Sequence, residues 1–290
     1  MRLLLMAALA GCASDDVKET ATAPDTNVPI DPADLPGTID EDRPAPLRVP
    51  AGWDGESPLP LVILLHGYGA TGPVQDAYFG VGDRVDTLGF ALLTPDGTMD
   101  GGGSRFWNAT DACCDFEGSN VDDVAYLDGL VDEVQEMLPV DRVYFLGHSN
   151  GGFMSYRMAC ESSERVTAIA SLAGATFLDE SDCAASEGVD VLQIHGTNDT
   201  TILYDGTPYY PGAEETVQRW ADRSGCAAPP TEIGTADLDG FVDGAETVML
   251  RYADGCGADA ELWRMDASGH IPAVNDAFAD GVLGWLLAHP

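Results

Sequence analysis

The sequence is poor in positive charge. Lysine and arginine together number 13 against 49 aspartates and glutamates, a formal charge of −36. A surface of that sign repels phosphate backbones and anionic headgroups, which excludes nucleic acid and acidic membrane surfaces as partners. The carboxylates are spread along the chain, so the charge reads as solvation, suited to high ionic strength where screening removes self-repulsion. The apolar run at the amino terminus is too short to cross a bilayer as a helix. No internal repeat is present, which excludes a solenoid. Histidine is scarce. His195 and Asp199 stand four apart but have no third ligand, so no metal site is expected, and no cofactor is implied.

The first residues, Met1 to Cys12, are a positive residue, a short apolar run and small residues, the pattern of an export signal. Leu9-Ala10-Gly11-Cys12 resembles the bacterial lipoprotein processing box. That resemblance implies a signal peptide over residues 1–11, acylation of Cys12 and an outer-surface or extracellular location, with the lipid as the sole membrane contact. A plain secretory signal is the alternative. Residues 12–45 hold Asp, Thr, Pro and Ala with almost no large apolar side chain, and read as a solvated tether. Beyond Cys12 there are six cysteines, an even number that suggests three disulfides in an exported chain. Cys226 with Cys256 is the favoured pair, because each borders a region expected to meet beside the last strands. Cys113 and Cys114 either bridge each other or reach separate partners. The second arrangement is the expectation, with Cys160 a candidate for one of them.

From Pro46 onward apolar strands alternate with helical spacing. Leu61–Leu65, Phe90–Thr94, Val143–Leu146, Ala168–Leu172, Val189–Ile194, Thr247–Tyr252 and Glu261–Met265 read as strands. Asp122–Leu138, Glu214–Arg223 and Val274–Ala288 read as helices. The alternation predicts one α/β domain over residues 46–290, with a mostly parallel sheet covered by helices on both faces.

The informative stretch is Gly147-His148-Ser149-Asn150-Gly151, between the strand ending at Leu146 and a helical pattern beginning near Gly152. G-x-S-x-G on a strand–turn–helix junction lifts a serine hydroxyl clear of the sheet beside a helix N-terminus. Ser149 is therefore the candidate nucleophile. A serine hydroxyl needs a base. His66 and His195 close strands, His148 lies inside the turn, and His289 is next to the terminus. His270, in a loop before the last helix, is the candidate base. Asp199, just after the strand Val189–Ile194, is the candidate for orienting that imidazole. Strand ends would place all three at the carboxyl edge of the sheet. Asn150 and Tyr68 are the candidate oxyanion donors, each through its backbone N–H. Trp107 and His148 are the candidate substrate-binding residues; for Trp107 two readings stand side by side, a ring that stacks a sugar or aromatic acyl group and a tryptophan packed within its loop. Asp122 and Asp123 precede a helix and are expected to cap it. Only Ala173–Gly188 separates the strand after the elbow helix from the next, too little for a lid domain.

Leu65-His66-Gly67-Tyr68-Gly69, Phe106-Trp107-Asn108 followed by Cys113-Cys114, Val121-Asp122-Asp123-Val124, the serine pentapeptide, His195-Gly196-Thr197-Asn198-Asp199 and Gly269-His270 occur in that order. Their order resembles the polyhydroxybutyrate depolymerase and feruloyl esterase group of α/β-hydrolases, over roughly residues 46 to 288. The resemblance implies an extracellular carboxylic ester hydrolase with the triad and oxyanion hole placed as above, acting on an ester-bearing polymer or small ester. Trp220, Gly225-Cys226 and Cys256 also look like that group and support the Cys226–Cys256 bridge. Ile271-Pro272 departs from it, since the group often has an aromatic after the histidine, and the substrate pocket is where that departure falls. A monomer is expected. The competing readings are a non-catalytic surface lipoprotein that binds glycans through Trp107, and a peptidase on the same fold.

Overall fold

A computed structural model describes residues 29–186 and 188–289. The leader, the proposed acylation site at Cys12 and the tether up to residue 28 lie outside the described residues. Two short strands, β1 (Thr38–Ile39) and β2 (Ala45–Arg48), precede β3 (Leu59–Leu65). The chain continues through α1 (Gly72–Phe79), the single turn α2 (Val85–Leu88), β4 (Ala91–Leu93) and a small hairpin of β5 (Thr98–Met99) and β6 (Arg105–Phe106). Next come α3 (Asp123–Met137), β7 (Val140–His148), α4 (Asn150–Glu161), β8 (Ala168–Leu172) and β9 (Asp190–Gly196). A second hairpin, β10 (Gly206–Thr207) with β11 (Tyr210–Pro211), leads to α5 (Ala213–Arg223). The strands β12 (Thr231–Ala236), β13 (Thr247–Tyr252) and β14 (Ala260–Met265) precede the last helix, α6 (Asp276–Ala288).

The main sheet has ten strands in the order β1-β2-β4-β3-β7-β8-β9-β14-β13-β12. From β4 through β14 neighbouring strands are parallel, and antiparallel strands close both edges. All seven residues of β3 are buried, because alternate side chains feed two separate cores. Leu61, Ile63 and Leu65 join Leu127, Leu130 and Val134 of α3 and Phe153 and Met158 of α4. Val62 and Leu64 join Phe79 of α1 and Phe278, Val282 and Leu283 of α6 on the opposite face. The apolar stripe of α3 is the one its spacing predicts, with Val124, Leu127, Leu130, Val131 and Val134 buried.

The tether does not run to residue 45. From Ile30, whose N–H donates to Gly55 O at 3.0 Å, the chain is packed on the domain. Ile39 is buried, and Arg43 Nη1 reaches the buried Asp123 Oδ1 at 2.6 Å. Low hydrophobicity hid this strap because it is held by two short strand pairings and one ion pair rather than by an apolar run. Asp123 is correspondingly not a cap. Asp122 accepts the Ala125 N–H at the start of α3, whereas Asp123 points inward. The cysteine expectation also divides. Cys226 bonds Cys256, but Cys160 bonds Cys183, and Cys113 and Cys114 bond each other. Cys160 sits at the end of α4, and the return loop after β8 brings Cys183 to it. Among the described residues that loop holds only a single 3₁₀ turn, Glu180–Asp182, and no lid.

Candidate active site

Ser149 stands between β7 and α4 with φ 54° and ψ −118°, a conformation unfavourable for a side-chain-bearing residue. Its N–H donates to Leu172 O at 2.8 Å, and its C=O accepts from Phe153 N at 3.0 Å. The turn survives only because its neighbours lack side chains. A Cβ on Gly147 would lie 2.1 Å from Gly151 O, and one on Gly151 would lie 2.2 Å from Leu65 O.

His270 comes from the loop after β14, and its Nε2 lies 3.0 Å from Ser149 Oγ. Its Nδ1 lies 2.7 Å from Asp199 Oδ2, in the turn after β9. The parallel register brings the carboxyl ends of β7, β9 and β14 to one rim, so residues 121 and 71 positions apart meet. Burial works against a charged Asp199. Hydrogen bonds from His195 and His270, and the Thr201 N–H at 2.8 Å, outweigh it and hold the carboxyl far below its ordinary range. Asp199 is therefore a fixed anion at neutral pH. His195 Nδ1 faces the Gln193 Nε2 donor at 3.1 Å, so its proton sits on Nε2, 2.8 Å from Ile202 O and 3.4 Å from Asp199 Oδ2. The second histidine thus backs the Asp199 carboxylate, a contact that the motif spacing alone did not reveal.

Asn150 is the first residue of α4, where an N–H has no acceptor in a preceding turn. The Tyr68 N–H engages no acceptor among the described residues. Both groups therefore remain available as donors beside Ser149. Gly67 lies against the elbow, since a Cβ there would be 3.5 Å from Ser149 Cβ.

A cavity of about 440 Å³ opens at Ser149, lined by Tyr68, Val74, Tyr78, His148, His270 and Ile271 among others. Its walls carry no carboxylate, guanidinium or ammonium group. His148 is part of this wall, and its Nε2–H donates to His270 O at 2.9 Å. Burial pushes the His148 imidazole down to about 4, so it is neutral at pH 7. Tyr78 and Gln75 were not singled out by sequence. Tyr78 OH donates to Pro272 O at 2.8 Å, tying α1 to the His270 loop. Gln75 Oε1 accepts the Gly67 N–H at 3.3 Å.

Of the two readings of Trp107, the structure shows the packed one. Its ring is fully buried and offers no face to a ligand. It lies 5.1 Å from the His66 ring, its Nε1–H donates to His66 O at 3.1 Å, and the Arg43 guanidinium covers it at 5.1 Å. The strap residue Arg43 thereby closes the space that an exposed tryptophan would have presented, and the glycan-binding reading loses its carrier.

Comparison with known proteins agrees with this architecture. Residues 60–208, just over half of the chain, match the family model for the alpha/beta hydrolase fold. A putative esterase, NocK, of Nocardia uniformis subsp. tsuyamanensis is 28% identical over 180 residues, covering 61% of this chain and 49% of that protein. Feruloyl esterase B of Piromyces equi is 24% identical over 253 residues, covering 82% of this chain and 43% of that protein. The chain thus spans less than half the length of these two relatives. Among solved structures, acetyl xylan esterase from Aspergillus awamori superposes with a TM-score of 0.62 at 17% identity, over 84% of this chain and 93% of that one. With the family match over the elbow and the sheet that carries it, the chain belongs to the α/β-hydrolase fold family.

Proposed function

We propose that the protein is a serine carboxylic ester hydrolase. The observation that carries this reading is the line from Asp199 through His270 to Ser149, with spacings of 2.7 and 3.0 Å at the mouth of the cavity. Ser149 Oγ attacks the ester carbonyl while His270 Nε2 takes its proton. Asp199 keeps the His270 proton on Nδ1 and stabilises the imidazolium. The N–H groups of Asn150 and Tyr68 receive the carbonyl oxygen as its charge develops. His270 then protonates the leaving alcohol and activates water against the acyl-enzyme.

The substrate class we propose is an acetyl or feruloyl ester on a plant polysaccharide, or a polyhydroxyalkanoate-type polyester. The names of the relatives support the first, and the unlidded rim suits either. Export to an oxidising compartment fits the three disulfides, with Cys12 as the proposed lipid anchor. The test is Ser149→Ala assayed with p-nitrophenyl acetate and a fluorophosphonate probe. Turnover and labelling should both vanish while the circular dichroism spectrum stays unchanged; retained turnover refutes the assignment. Methyl ferulate, acetylated xylan and polyhydroxybutyrate assayed side by side then decide among the acyl groups.

A further inference from the structure

Resting on the esterase reading, we propose that the segment from Gly97 to Trp107 is a strut that sets the spacing between the two oxyanion donors, with Trp107 and the Asn150 side chain as positioning residues. The two donors come from separate strand ends, β3 for Tyr68 and β7 for Asn150. β3 and β7 pair as far as Leu65 and Gly147, but beyond that point no hydrogen bond among the described residues joins His66–Gly69 to Ser149–Asn150. The strut bonds to both. On the Tyr68 side, Gly97 N donates to His66 Nε2 at 2.8 Å, Gly69 N donates to Arg105 O at 2.8 Å, and Trp107 Nε1 donates to His66 O at 3.1 Å. The Tyr68 hydroxyl donates to Asp100 at the tip of the hairpin. On the Asn150 side, the Trp107 N–H donates to Asn150 Oδ1 at 2.7 Å, and Asn150 Nδ2 donates to Trp107 O at 2.9 Å.

The burial pattern marks these bonds as a fixture. Trp107, His66 and Asn150 are each fully buried, so their bonds face no competition from water. Cys114 N also donates to Trp107 O, at 3.4 Å, so the turn closed by the Cys113–Cys114 disulfide backs the same carbonyl. The asparagine after the nucleophile thus acts twice. Its backbone N–H faces the oxyanion, and its carboxamide grips the tryptophan that grips the other half of the hole. Oxyanion stabilisation depends on donors held where the charge forms, so loosening the strut costs transition-state binding more than substrate binding.

The experiment cuts the ties one at a time. Trp107→Phe removes the indole donor to His66 O, Asn150→Ala removes both clamp bonds while keeping the backbone N–H, and Tyr68→Phe cuts the exposed tie to Asp100 without touching the core. Each variant is assayed for kcat and KM on p-nitrophenyl acetate and for inhibition by an aryl trifluoromethyl ketone. Ser149 Oγ adds to the ketone carbon of that inhibitor, the carbonyl electron pair becomes an oxyanion, and the serine proton passes to His270. The buried cuts should lower kcat about tenfold or more, as small misplacements of catalytic groups do, and Tyr68→Phe about threefold, as for one exposed hydrogen bond. KM should change less than kcat, and the ketone should weaken by the same factor as kcat/KM. A loss confined to KM, or ketone affinity unmoved while kcat falls, overturns the strut. If one buried variant fails to fold, Tyr68→Phe with wild-type kcat and ketone affinity also overturns it. A wild-type protein that neither turns over esters nor labels with fluorophosphonate defeats the esterase reading itself.

Discussion

Replacing Arg43 with methionine should destabilise the protein far more than its position near the chain's start suggests. The guanidinium reaches Asp123 Oδ1 at 2.6 Å and lies 3.8 Å over the Tyr126 ring. Asp123 is fully buried, and its other oxygen accepts the Asn108 N–H at 2.7 Å. Methionine preserves much of the stem's packing but leaves a buried carboxylate with one neutral donor. Breaking one side of a buried pair costs about 3–5 kcal/mol. For a domain of this size each kcal/mol lowers Tm by roughly 2–4 °C, so the expected fall is on the order of 10 °C. The pH dependence carries a sign. Burial already raises the Asp123 pKa despite Arg43, and removing Arg43 raises it further. An acid whose folded pKa lies above its unfolded value, about 3.9, loses stability as pH rises between the two. The penalty in Arg43→Met should therefore be largest near neutral pH and shrink toward pH 4. Urea unfolding across that range measures it, with Arg43→Met/Asp123→Asn as the companion, because asparagine still accepts the Asn108 N–H without a buried charge. A loss below about 1 kcal/mol, or a double variant no more stable than the single, would falsify the account of the strap as a folded, ion-paired part of the domain.

Three further outcomes follow from the elbow, the cavity wall and the charge. His148 has a folded pKa of about 4 against an unfolded value near 6.5, so its stabilising contribution is full above that value and is lost as pH falls from 6.5 to 4. His148→Asn should flatten that loss by about 3 kcal/mol in acid unfolding curves, and an unchanged acid limb would show that the imidazole is not held neutral. Gly151→Ala would put a methyl 2.2 Å from Leu65 O, so fluorophosphonate labelling should disappear even in whatever fraction stays soluble; normal labelling would mean the elbow relaxes freely. With a formal charge of −36, the urea midpoint should rise between about 0.1 and 1 M NaCl as the screening length falls from about 10 to 3 Å, and a falling midpoint would mean that ion pairs outweigh repulsion.

What was legible in the sequence and what was not divide along a physical line. Ser149 was readable because the apolar run Val143–Leu146 leads into its pentapeptide, and Asp199 and His270 because each lies in the loop after a strand, and a parallel sheet delivers such strand ends to one rim. β12 escaped notice because its residues are half-exposed or exposed and carry no apolar run. α1 escaped because it is only eight residues long and its apolar residues form no buried stripe, with only Gly72, Gln75 and Phe79 buried. The strap was misread as a solvated tether for the same reason. Its residues include almost no large apolar side chain, and Arg43 holds it by an ion pair to the buried Asp123 that no apolar pattern announces.

Trp107 shows why a motif reveals that a residue matters before it reveals how. Its place in Phe106-Trp107-Asn108, between β6 and α3, correctly puts it beside the elbow, and proximity is all that chain order conveys. Which way the ring turns depends on what competes for its faces. His66 lies at 5.1 Å, Arg43 covers it at 5.1 Å, and Tyr126 stacks at 6.5 Å, from three segments that no spacing rule links to it. Its indole N–H finds a buried carbonyl, which removes the usual reason for a tryptophan edge to stay wet. Once the ring is inside, its backbone N–H and C=O need partners too, and the Asn150 carboxamide supplies both. Instead of facing substrate, Trp107 holds the side chain of the residue next to the nucleophile.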